Sequence, residues 1–459
     1  MRAGAGQNFS MDVRTEGMQD EQRLRVELDF GDGLLAFMDW SLHDMTYGCV
    51  CPEGERVWRT VEHRGDMCFR MIKSGSIYRT ISGGRELYLR GLLGEQRRVF
   101  DPQGCEVRLR TPEGVKAEAD FSPDMLFAAD ARQAVSAGAH GRHDSQQIIP
   151  GAILHHEGAW YMYGMAGEPG DEEGASRRTV TLSRSEDLEH WTHYPEPVVP
   201  LGMLGVAHDN LYPNAVQEME DGRIALFCSI QRFPHWIGIY LFVADTPEGP
   251  FRCLDNKPVF RAENLYHPMH EFDVARVDLP QGKYMMLLAS YAPHFGGDRG
   301  LQAFSDDLIQ WRTPETEYVF FPETVDGWDC EHIRPRSLTK VGGTWYMWYE
   351  GVQYYSPPPA RESDGGHHGA SVNALYIDTV GLAWTRDFVH WHYHARNPLL
   401  APRGIAATHF DSVWTGWPRM VVRGENCYLF YSAAGKTVSV GLRVFPLAEL
   451  LEATRGEDR

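Results

Sequence analysis

One pattern of strands recurs five times from about residue 146 onward, and it restricts the fold more than any other feature of the chain. Each unit opens with an apolar strand, usually led by proline, and a polar or glycine turn: PGAILHHEG from Pro150, PNAVQEMEDG from Pro213, VARVDLPQG from Val274, PRSLTKVGG from Pro335 and PRMVVRGEN from Pro418. A strand of aromatic and aliphatic residues follows (AWYMYGMA, RIALFCSI, KYMMLLASY, TWYMWYEG, CYLFYSAA). The third strand often runs into an acidic turn that closes on tryptophan, as in TVTLSRSEDLEHW, GLQAFSDDLIQW and VGLAWTRDFVHW. Trp191, Trp311 and Trp391 fall at one position of the repeat, and Phe251 takes that place in the second unit. A unit of about sixty residues without an amphipathic helix cannot bury both faces of its sheet alone, so neighbouring units must stack around an axis. The expectation is an all-β chain with a five-bladed β-propeller at residues 131–459.

Residues 1–130 read differently. RLRVELDF, GLLAFMDW, CFRMIKS, RELYLRGLL and EVRLRT alternate apolar and polar positions, the period of half-buried antiparallel strands. A small β-sandwich-like domain is expected there, packed against the propeller. FAADARQAVSAGAHGRHD, rich in alanine and glycine, reads as the linker between the two.

Charge narrows the partners. With 63 acidic and 44 basic side chains the net charge is -19, and no dense basic cluster is present, so nucleic acid is excluded as a partner. No segment has the apolar length of a signal peptide or a membrane span, and a soluble, cytoplasmic protein without membrane contact is expected. The eight cysteines are scattered without a CxxC pair, which points to reduced, structural thiols.

In a propeller the first strand of each blade lines the axis, so acids at the heads of those strands become neighbours although they are far apart in sequence. Three stand there: Asp144 in RHDSQQIIPGAI, Asp273 directly before Val274, and Glu331 in WDCEHIRPR, at spacings of 129 and 58 residues. Asp209, in AHDNLYPNAV, holds the matching place before the second unit and is an alternative to Asp144.

These acids, with SEDLEHW and SDDLIQW, resemble the five-bladed propeller glycoside hydrolases of families 43, 32 and 68, over roughly residues 140–450. The resemblance implies Glu331 as general acid, Asp273 as the group that positions the glycone and stabilises the transition state, and Asp144 as base or nucleophile. The chain departs from the pattern at Ile149, where an Asp-Pro pair is typical, and Glu331 lies farther from its strand than the family glutamate. Acetal cleavage through an oxocarbenium-like transition state needs a protonated carboxyl at the leaving oxygen and an ionised carboxylate on the opposite face, which explains the choice of residue types.

Asp209, His270, His332, Arg334, Trp328, Glu350 and Trp414 are the candidate substrate contacts, through hydroxyl hydrogen bonds and ring stacking. No cofactor and no catalytic metal are expected; similar enzymes sometimes hold an axial calcium near a blade-five histidine, a place that His409 occupies. His267, His270 and Glu271 form only a weak metal-type set, in which His270 reads better as a substrate-hydroxyl contact than as a ligand, and His367 and His368 fall in a long polar insertion. The activity expected is hydrolysis of a short oligosaccharide, exo-acting on a furanoside. Two alternatives stay open: a phosphorylase of the mannoside type holding phosphate on His332, Arg334 and Arg336, with His332 also able to replace Glu331 as acid, and a non-catalytic sugar-binding propeller.

Overall fold

The computed structural model describes residues 2–453 apart from 5–7, 32–34, 52–53, 64–66, 75–76, 84, 91, 94–97, 100–103, 124–130, 140–141, 169–176, 206–208, 233–234, 262–270, 293–296, 315–317, 324–326, 355–375, 403–408, 413 and 436. Among the described residues the chain is nearly all β, with one short helix, Leu447–Ala453. No helix among them is long and apolar enough to cross a membrane.

The alternating N-terminal segments form two antiparallel sheets, of six and five strands. They share one core that includes Phe9, Met11, Val26, Trp40, Met45, Phe69 and Met71. Arg79, on the strand Ile77–Ser82, is 1% exposed and ties this part to the rest. Its Nη1 donates to the Asn397 carbonyl at 2.7 Å, and its Nη2 lies 3.2 Å from Glu323.

The five repeats form five four-stranded antiparallel meanders. Their inner strands are Gln147–His156, Asp209–Glu218, Phe272–Leu279, His332–Val341 and Trp414–Arg423. Each inner strand neighbours the next, and the fifth neighbours the first, so the sheets close a ring. The outermost strand of the fifth sheet is Arg132–Val135, paired antiparallel with Val438–Pro446. The segment read as a linker therefore contains the strand that completes the ring. Its composition conceals it because its partner lies at the other end of the chain.

The recurrent proline has a structural reason. An inner strand is an edge of its own sheet, where a missing N–H breaks no ladder. Pairing shifts register between Pro150 and Ala152, Pro213 and Ala215, Pro335 and Ser337, and Gly416 and Arg419. A bulge leaves a residue unpaired and re-aims its side chain. In this way Asn214 and Arg336 leave the ladder at one level of the ring, with Gly151 in the corresponding place.

The SxDLxxW motif is a turn built three times. Ser185 Oγ accepts from the amides of Asp187 and Leu188, Asp187 Oδ1 accepts from those of Glu189 and His190, and Leu188 takes a φ of 71°. Ser305, Asp307 and Leu308 repeat it, as do Thr385, Asp387 and Phe388. The turn places its tryptophan edge-on against the preceding sheet: Trp191 on Phe430, Trp311 on Phe227 and Trp391 on Phe320.

Asp307→Ala removes the acceptor that closes the second of these turns. It is expected to cost about 1 kcal/mol, a fall in melting temperature of about 2–4 °C, with Asp307→Asn in between. Hydrogen bonds from His190 hold the Asp187 carboxyl below the usual range; at Asp387, burial opposes ionisation but those from His390 outweigh it. The stability these turns supply is thus present above the unfolded carboxylate value, about 4, and is lost as pH falls. Thermal melts across pH 2–7 would check both points.

Candidate active site

Three basic side chains of the inner strand His332–Val341, those of His332, Arg334 and Arg336, meet acids from the third and fourth sheets. Arg334 Nε lies 3.0 Å from Glu271 Oε2 and 3.0 Å from Asp298 Oδ2. Arg336 Nη2 lies 2.6 Å from Glu271 Oε1 and 2.8 Å from Glu350 Oε2, while its Nη1 donates to Asn214 Oδ1 at 3.3 Å. The guanidinium stacks 3.6 Å from the Trp417 ring centre. His332 Nδ1 lies 2.9 Å from Asp298 Oδ2. Glu271, Glu350 and Arg336 are fully buried. Gly416 is required here, since a Cβ would come within 2.5 Å of Glu350 Oε1.

Three carboxylates thus face two guanidiniums and an imidazole in a desolvated place. Such a network is rigid, and removing one member leaves an uncompensated charge.

Asp273 lies on the third inner strand, two residues after Glu271: its Oδ1 accepts from its neighbour Val274 at 2.9 Å, and its Oδ2 accepts from the Leu338 amide of the fourth inner strand at 2.7 Å. Burial pushes its pKa up to about 6, against the charge of Arg419 and the two amide bonds. Arg419 donates Nε to the Gly151 carbonyl, and its Nη1 and Nη2 are buried without a hydrogen-bond partner. Burial pushes the Arg419 guanidinium down to about 10, with Asp273 opposing.

Glu331 stands half-buried at the head of the fourth inner strand. Its amide donates to the Val352 carbonyl at 3.2 Å, and its carbonyl accepts from Arg299 Nη1 at 3.1 Å. Gly297 permits the close passage of this backbone, because a Cβ there would overlap the Glu331 carbonyl oxygen.

Asp144 is placed elsewhere. It is fully buried, 2.7 Å from His193 Nε2 on the outermost strand of the first sheet and 3.1 Å from Arg142. Thr181 of the third strand contacts the same histidine, and at the usual strand spacing that is about 10 Å outward from the inner strand. Burial opposes ionisation of Asp144, but Arg142, His143 and His193 outweigh it and lower its pKa. The position next to Pro150 is taken by Ile149, packed among Met165, Tyr212, Trp236 and Trp417.

The remaining candidates separate by environment. Glu350 has one oxygen on Arg336 and the other on the Trp417 amide, so its acceptors are already engaged within the network. Arg334 is buried among the acids described above. Trp328, 3% exposed, packs on Tyr349 and covers Gly351 and Gly381, where it acts as core and offers no stacking face. Trp414 is partly open beside the Ile149 cluster. Asp209 heads the second inner strand. His267, His270, His367 and His368 lie outside the described residues.

His409 Nδ1 lies 2.5 Å from Asp411 Oδ1, and the other Asp411 oxygen accepts from Tyr431.

Sequence reasoning passed over Asp298, Asn214, Trp417 and Arg419, and took Glu271 only for a metal or substrate contact. Three of them signal their place through the repeat: Asn214 and Arg419 directly follow the recurrent proline and Trp417 precedes it. Asp298 starts an outer strand, for which no such signal exists.

No protein-family model matches the chain, and no curated protein matches it. Among solved structures it is similar to a glycoside hydrolase at 14% identity, covering 70% of this chain and 92% of that one, with a TM-score of 0.53. It is also similar to a structure from the family 130 of mannoside phosphorylases, which contains glycoside hydrolases that target β-1,2 mannosidic linkages in Candida mannan. That likeness is 14% identical, covers 71% of this chain and 96% of the other, and has a TM-score of 0.50. At these identities the likeness is one of fold.

Arg336→Met strands Glu271 and Glu350 and is expected to cost about 3–5 kcal/mol in urea unfolding, part of it recovered when both acids are also made glutamine. Between about pH 4 and 6 the folded chain holds a proton on Asp273 that the unfolded chain releases. Wild type is therefore expected to lose stability relative to Asp273→Asn as pH rises through that window, and to show no further change above it.

Proposed function

We propose that the protein is a glycoside hydrolase, a five-bladed β-propeller (131–459) preceded by a β-sandwich-like domain (1–130), working at the end of the ring axis. The observation that carries this reading is the placement of Asp273, a carboxyl inside a closed ring, shared between two inner strands and opposite Arg419. The likeness of fold to solved glycoside hydrolases supports it.

Glu331 supplies the proton to the leaving oxygen, and Asp273 positions the glycone and balances the positive charge that develops on the ring. Asp209, at the head of the second inner strand, takes the role of the second carboxylate, since Asp144 lies outward in the first sheet. His270 and Trp414 contact the sugar. The substrate is a short oligosaccharide with a non-reducing furanose, cleaved from its end. The phosphorylase reading weighs less, because Arg334 and Arg336 already face Glu271, Asp298 and Glu350 and offer little net positive charge to phosphate. A sugar-binding protein without turnover is the second reading, favoured by Ile149 closing the first inner strand with apolar packing.

A panel of nitrophenyl furanosides and pyranosides, with and without phosphate, tests the choice on wild type, Glu331→Gln, Asp273→Asn and Asp209→Asn. Turnover independent of phosphate that falls by about 10²-fold or more in each variant is expected. Phosphate-dependent turnover would shift the reading to a phosphorylase, and sugar binding without turnover to the binding protein. Unchanged rates in the variants would sink the assignment of residues.

A further inference from the structure

We propose a second site away from the axis: a divalent metal site of the zinc class formed by His143, Asp144 and His193 with the hydroxyl of Thr181, in the wedge between the first and fifth ring sheets. The ligand atoms of the two histidines and the aspartate all lie within 4.8 Å of one another. Asp144 Oδ2 is 2.7 Å from His193 Nε2, and Thr181 Oγ1 is 3.3 Å from His193 Nε2 and 3.4 Å from His143 Nε2. An ion bonded tetrahedrally at about 2.0–2.2 Å requires ligand separations of about 3.4 Å. The observed separations, from 2.7 Å up to within 4.8 Å, bracket that value, so an ion enters with side-chain shifts of about an ångström.

The outer contacts are those a metal site uses. Ser183 Oγ lies 3.0 Å from His193 Nδ1, which leaves Nε2 facing the cluster. A partner of this kind orients a ligating histidine and fixes its tautomer. Arg142 engages both Asp144 oxygens, Nε on Oδ1 at 3.1 Å and Nη2 on Oδ2 at 3.2 Å. Gly138 gives the room, since a Cβ there would stand 2.0 Å from Asp144 Oδ1. Two imidazoles with one carboxylate and a hydroxyl suit zinc and its neighbours, whereas calcium and magnesium ask for oxygen donors throughout.

The position gives the ion a task. His143 and Asp144 belong to the segment that runs from the closing strand Arg132–Val135 to the first inner strand, and His193 lies on that sheet's outermost strand. Trp191, two residues before His193, packs on Phe430 of the fifth sheet. An ion here would fasten the closing segment to the first sheet at the one place where the ring is joined by distant parts of the chain. Arg142, whose side chain is 39% exposed, competes for Asp144 and can turn to water when the ion binds.

The test uses the full-length, untagged protein, freed of metal with a chelator and titrated with zinc chloride by calorimetry, with thermal melts in zinc and in chelator. One equivalent is expected to bind and to raise the melting temperature. His143→Ala, which loses a 3.4 Å contact to Thr181 and a ring contact to His193 at 6.4 Å, is expected to fold as wild type in chelator and to weaken zinc binding by more than about tenfold. His193→Ala is expected to abolish the zinc-dependent rise. Arg142→Ala separates a metal site from a plain ion pair: it should keep or strengthen zinc binding. Wild type that binds no zinc overturns the proposal, and so does binding whose affinity is undiminished in His143→Ala.

Discussion

The ring depends on what happens at Arg336. This one buried guanidinium meets Asn214 from the second sheet, Glu271 from the third, Glu350 from its own and the Trp417 ring from the fifth. The first sheet joins through Gly151, whose carbonyl accepts from Arg419. Four sheets that would otherwise touch only their neighbours are thereby tied to the charge of Arg336, and the first is tied to that of Arg419. The arrangement is cheap in neither direction: the desolvation of Arg336 is offset only while its acids stay in place, and theirs only while it does.

That contact exists because of a backbone irregularity. A regular inner strand would pair every residue with its neighbour and alternate its side chains strictly. The register shift after Pro150, Pro213 and Pro335 frees one residue in each of those strands, namely Gly151, Asn214 and Arg336. The proline and the polar residue behind it are one device. The tryptophan turn at the outer end of the sheets is another, in which a serine or threonine and an aspartate satisfy backbone amides that no strand can reach.

The same physics bears on function. Buried acids that are matched by arginines hold shape and do little chemistry, so Glu271 and Glu350 contribute rigidity to the axis. Asp273 differs because burial, opposed by Arg419 and two amide bonds, raises its pKa to about 6 while its carboxyl lies between two inner strands. Asp144, matched by Arg142 and two histidines in the wedge between sheets, belongs to the closing segment of the ring.

The repeat itself was legible because it is local: proline, turn, aromatic strand and tryptophan recur within each unit, and hydrophobic periodicity reports short-range structure faithfully. The all-β character and the positions of the inner strands could be read in this way. The closing strand Arg132–Val135 could not, since its pairing with Val438–Pro446 is set by contacts between the two ends of the chain and its alanine-rich composition carries no period. Nor could the separation of Asp144 from the axis, or the burial of Trp328 and Glu350, because a side chain's face and depth follow from bulges and from what the neighbouring sheet supplies. Sequence by itself determined the unit and the residue types available at its inner edge. Tertiary structure decided which of those residues share a charge, because a buried ion pair is chosen by the partners that ring closure brings within about 3 Å, whatever their distance along the chain.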